Sequence, residues 1–521
     1  MTERLRANAS RPLRTMLTGV AAAALLAGCS LIPSYERPDA PVPATFPGNP
    51  ALQPGALPAA ALSWQDYFAD ARLQQLIGIA LRNNRDLRLA AINIEQARAT
   101  YQIQRAAVFP TVGLNVAGTR QRPSLLGEGV SQSVQAGIGV SAWEIDLFGR
   151  IGSLREAALA QFLATEEARK AVQISLIANV ANGWLTLLAD DELLELTRQT
   201  LQARQEGLRL TRLRFDSGVS SEIDFQLANG LAETARATYA QQQRQRLLDE
   251  NALALLLGQP VPPGLLPVVA QTPVPPRTAG GSAPGGAAPS ASPVPTLDTA
   301  PGGLASLTPM PDLPAGLPSD LLTQRPDIRQ AEQQLLAANA NIGAARAAFF
   351  PRIALTATFG SASNELSGLF GSGTQAWSFA PQVTLPIFDA GRNQAGLDAA
   401  LAQRQSAVAQ YERSIQSAFR EVADALAGQA TLGEQLRATR AQAESEAVRF
   451  RLSDLRFRNG IASALDLLDA QRSLFAAQQA AVQTRLQLLQ NQVTLYKSLG
   501  GGWKEDAPMA AATGPATGRP L

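Results

Sequence analysis

The sequence predicts an α+β fold in which an internally duplicated chain supplies four β-strands and two hairpins of very long helices. Three observations predict it. Residue strings recur in fixed register, period-two segments come in two pairs, and residues 152–214 and 393–457 are helix-forming stretches without proline.

The duplication is the most informative of the three. Arg105-Ala106-Ala107-Val108-Phe109-Pro110 returns as Arg346-Ala347-Ala348-Phe349-Phe350-Pro351, and Gly149-Arg150 returns as Gly391-Arg392. Leu213-Arg214-Phe215-Asp216-Ser217-Gly218 returns as Leu455-Arg456-Phe457-Arg458-Asn459-Gly460, and Asp224 falls on Asp466. The offset holds at about 241 residues throughout, which chance similarity cannot sustain. The copies occupy 72–258 and 318–502, joined by a linker at 259–317 rich in Pro, Gly, Ala and Ser and too poor in apolar residues to fold alone. A tail of similar character follows at 503–521.

Ahead of the copies, Arg4, Arg6, Arg11 and Arg14 precede an apolar stretch at 16–27 that is too short to span a bilayer. It closes on Leu26-Ala27-Gly28-Cys29, which resembles a bacterial lipoprotein cleavage box. The expectation is a signal peptide at 1–28 and a lipidated segment at 29–71, with acyl chains on Cys29; several chains together hold a membrane where one is marginal. Ser30, rather than Asp, after that cysteine points by the lipoprotein sorting rule to the outer membrane. Beyond this leader no uninterrupted apolar run is long enough for a transmembrane helix, so a membrane-spanning part has to be a β-barrel.

Each copy reads helix, strand, strand, helix, helix. The first helix spans 72–107, breaks at Asn83-Asn84 and stops before Pro110, which cannot continue it. Val112, Leu114 and Val116 then alternate with Thr111, Gly113 and Asn115; Val134, Ala136, Ile138 and Val140 alternate with small polar residues. Copy two repeats the pattern with Ile353, Leu355, Ala357 and Phe359, then Trp377, Phe379, Val383 and Leu385. Trp377 and Phe379 are candidates for an interfacial aromatic belt. Such hairpins suit a half-buried sheet in a soluble protein. They also suit a barrel whose lumen is small and polar, with strands of about 9–11 residues that cross a membrane when tilted. Four strands cannot close a barrel, for which about eight is the minimum, so spanning strands require a dimer or a trimer. The proline-free stretches that follow, rich in Ala, Gln, Arg, Glu and Leu, amount to roughly 90 Å of helix each at 1.5 Å per residue. Each reverses at a glycine, Gly218 or Gly460, into a second long helix.

Composition excludes most chemistry. The 521 residues contain no histidine and one cysteine, which removes imidazole catalysis, His-ligated metal sites and intrachain disulfides. A net charge of +2 gives no reason to expect nucleic acid. No nucleophile motif is present, so the reading is not an enzyme; the competing reading is a lipid-anchored periplasmic scaffold.

The segment from Ser63 to Ala90 and, more specifically, Leu317 to Gly360 (LPSDLLTQRPDIRQAEQQLLAANANIGAARAAFFPRIALTATFG) resemble TolC-like outer-membrane factors of the lipoprotein, NodT-type subfamily. The resemblance implies a homotrimer, a 12-stranded outer-membrane barrel and a long periplasmic α-helical barrel. It implies an efflux duct for drugs or other small toxic compounds that works with a periplasmic adaptor and an inner-membrane transporter of the proton-driven type, with no cofactor beyond lipid on Cys29. It places an acidic gate at Asp466 and Asp469, three apart on one helix face, where a trimer would set carboxylate rings that favour cations. It also places a latch at Asp224 and Phe457, although a basic residue used by relatives is replaced here by Ala462. The turns Gly218-Val219-Ser220 and Gly460-Ile461-Ala462 pair a chain-reversing glycine with small neighbours and are candidates for adaptor docking; glycine also simply ends helices.

Overall fold

A computed structural model describes residues 30–46, 62–122, 130–266, 303–304, 307–311, 313 and 318–503. The expected signal peptide, Cys29, most of the linker and the tail beyond Trp503 lie outside the described residues.

The helices are α1 (Trp64–Tyr67), α2 (Ala71–Asn83), α3 (Arg85–Ala106), α4 (Arg150–Asp216), α5 (Glu222–Leu257), α6 (Pro318–Gln324), α7 (Pro326–Ala347), α8 (Arg392–Arg458) and α9 (Ala464–Ser498). The strands are β1 (Val112–Gln121), β2 (Ser131–Ile145), β3 (Arg352–Ser363) and β4 (Gln375–Thr384). The long helices α4 and α8 are each 67 residues, with no proline or interior cap to stop them. The break at Asn84 has a local cause. Its side chain caps α3 by accepting from Leu87 N at 2.9 Å and donates to Leu256 O at 2.9 Å, so the backbone turns extended there.

The chain divides into two compact units. The first comprises the described residues within 1–41, 91–168 and 327–414, and the second those within 42–90, 169–326 and 415–521.

The first unit holds a four-stranded antiparallel sheet in the order β1-β2-β3-β4. Register brings Leu114, Ile138, Phe359 and Trp377 side by side in one row across the strands. Asn115, Gly137 and Gly360 form the neighbouring row, on the opposite face. β2 runs further than alternation alone indicated. A bulge between Val140 and Trp143, with Ala142 at φ 51, resets its register and lets the strand continue to Ile145. At the sheet's base Glu144 accepts from Arg150 at 2.7 Å and from Arg352 at 2.6 Å, tying β2 to α4 and β3. Every residue of β1 and β4 is exposed, so both outer strands present unpaired edges and an uncovered apolar face.

The segment 31–37 is strapped to α7. Arg37 makes a bidentate pair with Glu332 at 2.8 and 2.9 Å, Asn339 donates to Pro33 O at 2.8 Å, and Arg346 donates to Leu31 O at 3.3 Å. Gly343 makes room for the strap, since a Cβ there would stand 2.6 Å from the Ile32 side chain.

The second unit carries the larger apolar core. Tyr67 stacks on Tyr496 with centroids 4.1 Å apart, and their hydroxyls donate to Gln492 O and Leu62 O. Buried Trp184 donates to Asp70 at 3.1 Å, the same carboxylate that caps α2. Composition makes one correction here: α4 contains an 18-residue window apolar enough to cross a membrane. Most of that window is buried against this core, so protein packing accounts for its hydropathy.

Where α4 meets α5, Asp190 is buried beside Asp249 and accepts from Gln242 at 3.0 Å. Burial, and then the hydrogen-bonded Asp249 carboxyl, pushes Asp190 up to about 8. The folded chain therefore keeps a proton that the unfolded chain releases near pH ~3.9. Stability contributed by this group falls as pH rises from about 4 to about 8. Asp190→Asn, which keeps the shape of the protonated acid, is expected to flatten that slope in melting curves of the detergent-solubilised protein. An unchanged slope would show that Asp190 carries no proton at neutral pH.

Candidate functional site

The two long-helix hairpins end in turns of the same construction. In the first, Val219 N donates to Arg214 O at 2.8 Å and Gly218 N to Phe215 O at 2.9 Å. In the second, Ile461 N donates to Arg456 O at 2.8 Å and Gly460 N to Phe457 O at 3.1 Å. These paired bonds close α4 and α8 as Schellman motifs, which require a left-handed residue. Gly218 and Gly460 supply it, both at φ 72. The return helices start with capping boxes, Ser221 with Asp224 and Ser463 with Asp466. Helix end and helix start are thus written into adjacent residues, and each turn is short and rigid.

Caps account for two of the sequence-predicted acidic residues. Asp224 accepts from the Ser221 hydroxyl at 2.8 Å and the Ser220 hydroxyl at 3.3 Å, and its carboxyl is held below the usual range by Ser221. Asp466 accepts from the Ser463 hydroxyl at 2.8 Å and is lowered in the same way. Asp469 lies one turn on and belongs to a different network. Arg449 of α8 donates to it at 2.6 Å and Arg472 at 2.9 Å, and the Arg449 bond is the main cause of its lowered pKa. Arg449 also bonds Glu446 at 3.1 Å. All three aspartates are therefore carboxylates at neutral pH, and Asp469 is clamped between the two helices of its hairpin.

Phe457 meets a partner that sequence reasoning missed. The Arg214 guanidinium lies 4.8 Å from its ring centroid, a cation–π contact between the two hairpins. A basic residue thus lies against the phenylalanine expected at the latch even though position 462 is alanine. Asp224 is engaged with its own cap rather than with Phe457. At the turns themselves Val219 and Ile461 are 78% and 68% exposed, and about four residues further on Ile223 and Leu465 are 81% and 64% exposed. Each turn therefore shows two branched apolar side chains to solvent. Val219 and Ile461 stood among the predicted docking residues, whereas Ile223 and Leu465 did not. A signal existed for the latter pair, an apolar residue at the second position of each capped helix.

Against this geometry, residues 76–259 and 317–501 each match the sequence profile of the family described as outer membrane efflux protein. The chain belongs to that family. As an outer membrane efflux protein it is a channel component of an export system in the outer membrane, and its duplicated halves are the two matched segments. The toluene efflux pump outer membrane protein TtgC of Pseudomonas putida is 45% identical over 505 residues, covering 95% of this chain and 97% of the relative. Outer membrane protein OprJ of Pseudomonas aeruginosa is 42% identical over 501 residues, covering 94% and 96%. Among solved structures, the open state of the Neisseria gonorrhoeae MtrE outer membrane channel superposes with a TM-score of 0.77 at 40% identity, covering 92% of this chain and 99% of that one.

Proposed function

We propose that this outer membrane efflux protein works as a homotrimer whose three four-stranded sheets close a 12-stranded barrel. The supporting observation is the sheet itself. Two exposed edge strands and an uncovered apolar face would leave unpaired backbone in lipid at several kcal/mol per group, and closure with other copies removes both edges. The strap of residues 31–37 on α7 brings the described chain to Ser30, next to Cys29. Since α7 leads directly into β3, acyl chains on Cys29 would enter the membrane leaflet near the foot of the barrel.

The chain conducts cargo selected elsewhere, so we assign it no catalysis and no cofactor besides lipid on Cys29. A periplasmic adaptor and an inner-membrane transporter, of the proton-driven type, are its partners. Small toxic compounds such as drugs and solvents are its cargo, in keeping with relatives named as toluene, solvent and antibiotic efflux proteins. The turns at 218–220 and 460–462, with their exposed apolar side chains, serve as the docking sites. Asp466 and Asp469 form carboxylate rings at a periplasmic gate, with Arg214 on Phe457 joining the hairpins of each copy.

The experiment is single-channel conductance in a planar bilayer, comparing the wild type with Asp466→Asn/Asp469→Asn. The wild type should give a small, cation-preferring current. The double variant, which takes the Asp469 carboxylate from Arg449 and Arg472 and removes six carboxylates from the trimer's axis, should conduct more and lose that preference. Equal conductance and selectivity in both would remove the gate from these residues while leaving the channel in place. No current from folded protein would remove the barrel reading.

A further inference from the structure

Arg204 stands apart from every other arginine described above. It lies on α4 within the second unit, is 7% exposed, and its Nη1 is buried without a hydrogen-bond partner. Among the described residues no carboxylate pairs with it. Burial, and then the like charge of Arg472, pulls its guanidinium below the ordinary range. The acidic residue on this stretch of α9, Asp469, is already taken by Arg449 and Arg472. The Thr200 hydroxyl is spent on Leu196 O at 2.8 Å. On the α8 and α9 side, Phe450, Ala470 and Leu474 form an apolar cluster that offers no charge. A lone buried cation is costly enough that proteins pair, solvate or neutralise it.

The space for a counter-ion exists. Arg204 lines a cavity of about 20 Å³ together with Thr200, Phe450, Gln471, Phe475 and Gln478. The space takes at least one water-sized body, and the single guanidinium charge that lines it matches a monovalent anion rather than a doubly charged one. Water would satisfy Nη1 but leave the charge. The buried Gln471 Oε1 also lacks a partner, and turning that amide over exchanges the oxygen for two donors. We propose that this cavity, built from α4, α8 and α9, binds a small monovalent anion of the halide class with Arg204 as its charge partner. The anion would join three long helices below their tips through one neutralised contact.

The test uses the full chain in detergent. Crystals soaked in bromide should show an anomalous peak beside the Arg204 guanidinium. Replacing gluconate by bromide or chloride at constant ionic strength should give a saturable upward shift in the melting temperature of the wild type. Arg204→Met, which removes the charge and keeps the volume, should lose that shift. Should the variant fail to fold, the bromide map and the wild-type titration decide without it. Density with no anomalous signal, meaning a structural water, overturns the proposal. So does equal melting in halide and gluconate, or a peak seen only at molar bromide with no shift. A carboxylate of a neighbouring copy found against Arg204 would overturn it as well.

Discussion

Arginine placed at both Leu114 and Phe359 is expected to abolish the membrane-inserted form of the protein. Both residues belong to the apolar row that crosses β1, β2, β3 and β4, and both are exposed in the single chain. If that row faces lipid, each arginine costs about 2–4 kcal/mol near the bilayer midplane. Two exceed what a marginally stable assembly tolerates. The contrast lies one residue along. Asn115 sits on the opposite face, and Asn115→Arg should insert normally and change only conductance, because it would line the water-filled lumen. Heat-dependent gel migration and recovery in the outer-membrane fraction report insertion. Equal behaviour of the two faces would mean that neither borders lipid, and the periplasmic scaffold would then account better for the sheet.

Aspartate at both Val219 and Ile461 is expected to stop export without stopping the channel. These side chains touch little of their own chain, so folding should be unaffected. Removing an apolar anchor from a protein interface typically costs 1–2 kcal/mol or more, and two together would weaken adaptor binding about 30–1000-fold. Cells carrying the variant should become sensitive to the exported compounds, while the purified protein conducts in a bilayer as the wild type does. Undiminished resistance at equal expression would place docking elsewhere. The same substitutions at Ile223 and Leu465 would then show whether the second apolar side chain of each turn carries the contact instead.

The parts of the molecule legible in the sequence are those written in short-range pattern. Absence of proline and the weight of helix-forming residues gave α4 and α8 to within two residues at either end, 152–214 against Arg150–Asp216 and 393–457 against Arg392–Arg458. Period two gave all four strands, because alternation sorts side chains onto faces regardless of what those faces meet. Gly218 and Gly460 marked the reversals, since a left-handed helix end has few other occupants. The recurrence of Arg105–Pro110 at Arg346–Pro351 exposed the duplication.

Contacts between distant residues were decided only by the tertiary structure. Asp469 read only as a gate carboxylate, and Arg449 reaches it from across the hairpin. The pairing of those positions depends on where the turn sets the antiparallel register of α8 and α9. Asp466 read as gate and Asp224 as latch; both are also caps, a role set locally by the serine three residues before each. Arg214 found Phe457 from another hairpin, and Arg204 became a buried cation only once three helices closed around it. The sequence alone determined the elements, their repetition and their family, since propensity and periodicity act over a few residues. Which charges are paired across helices or left alone depends on distances across the fold, and those exist only after the helices pack.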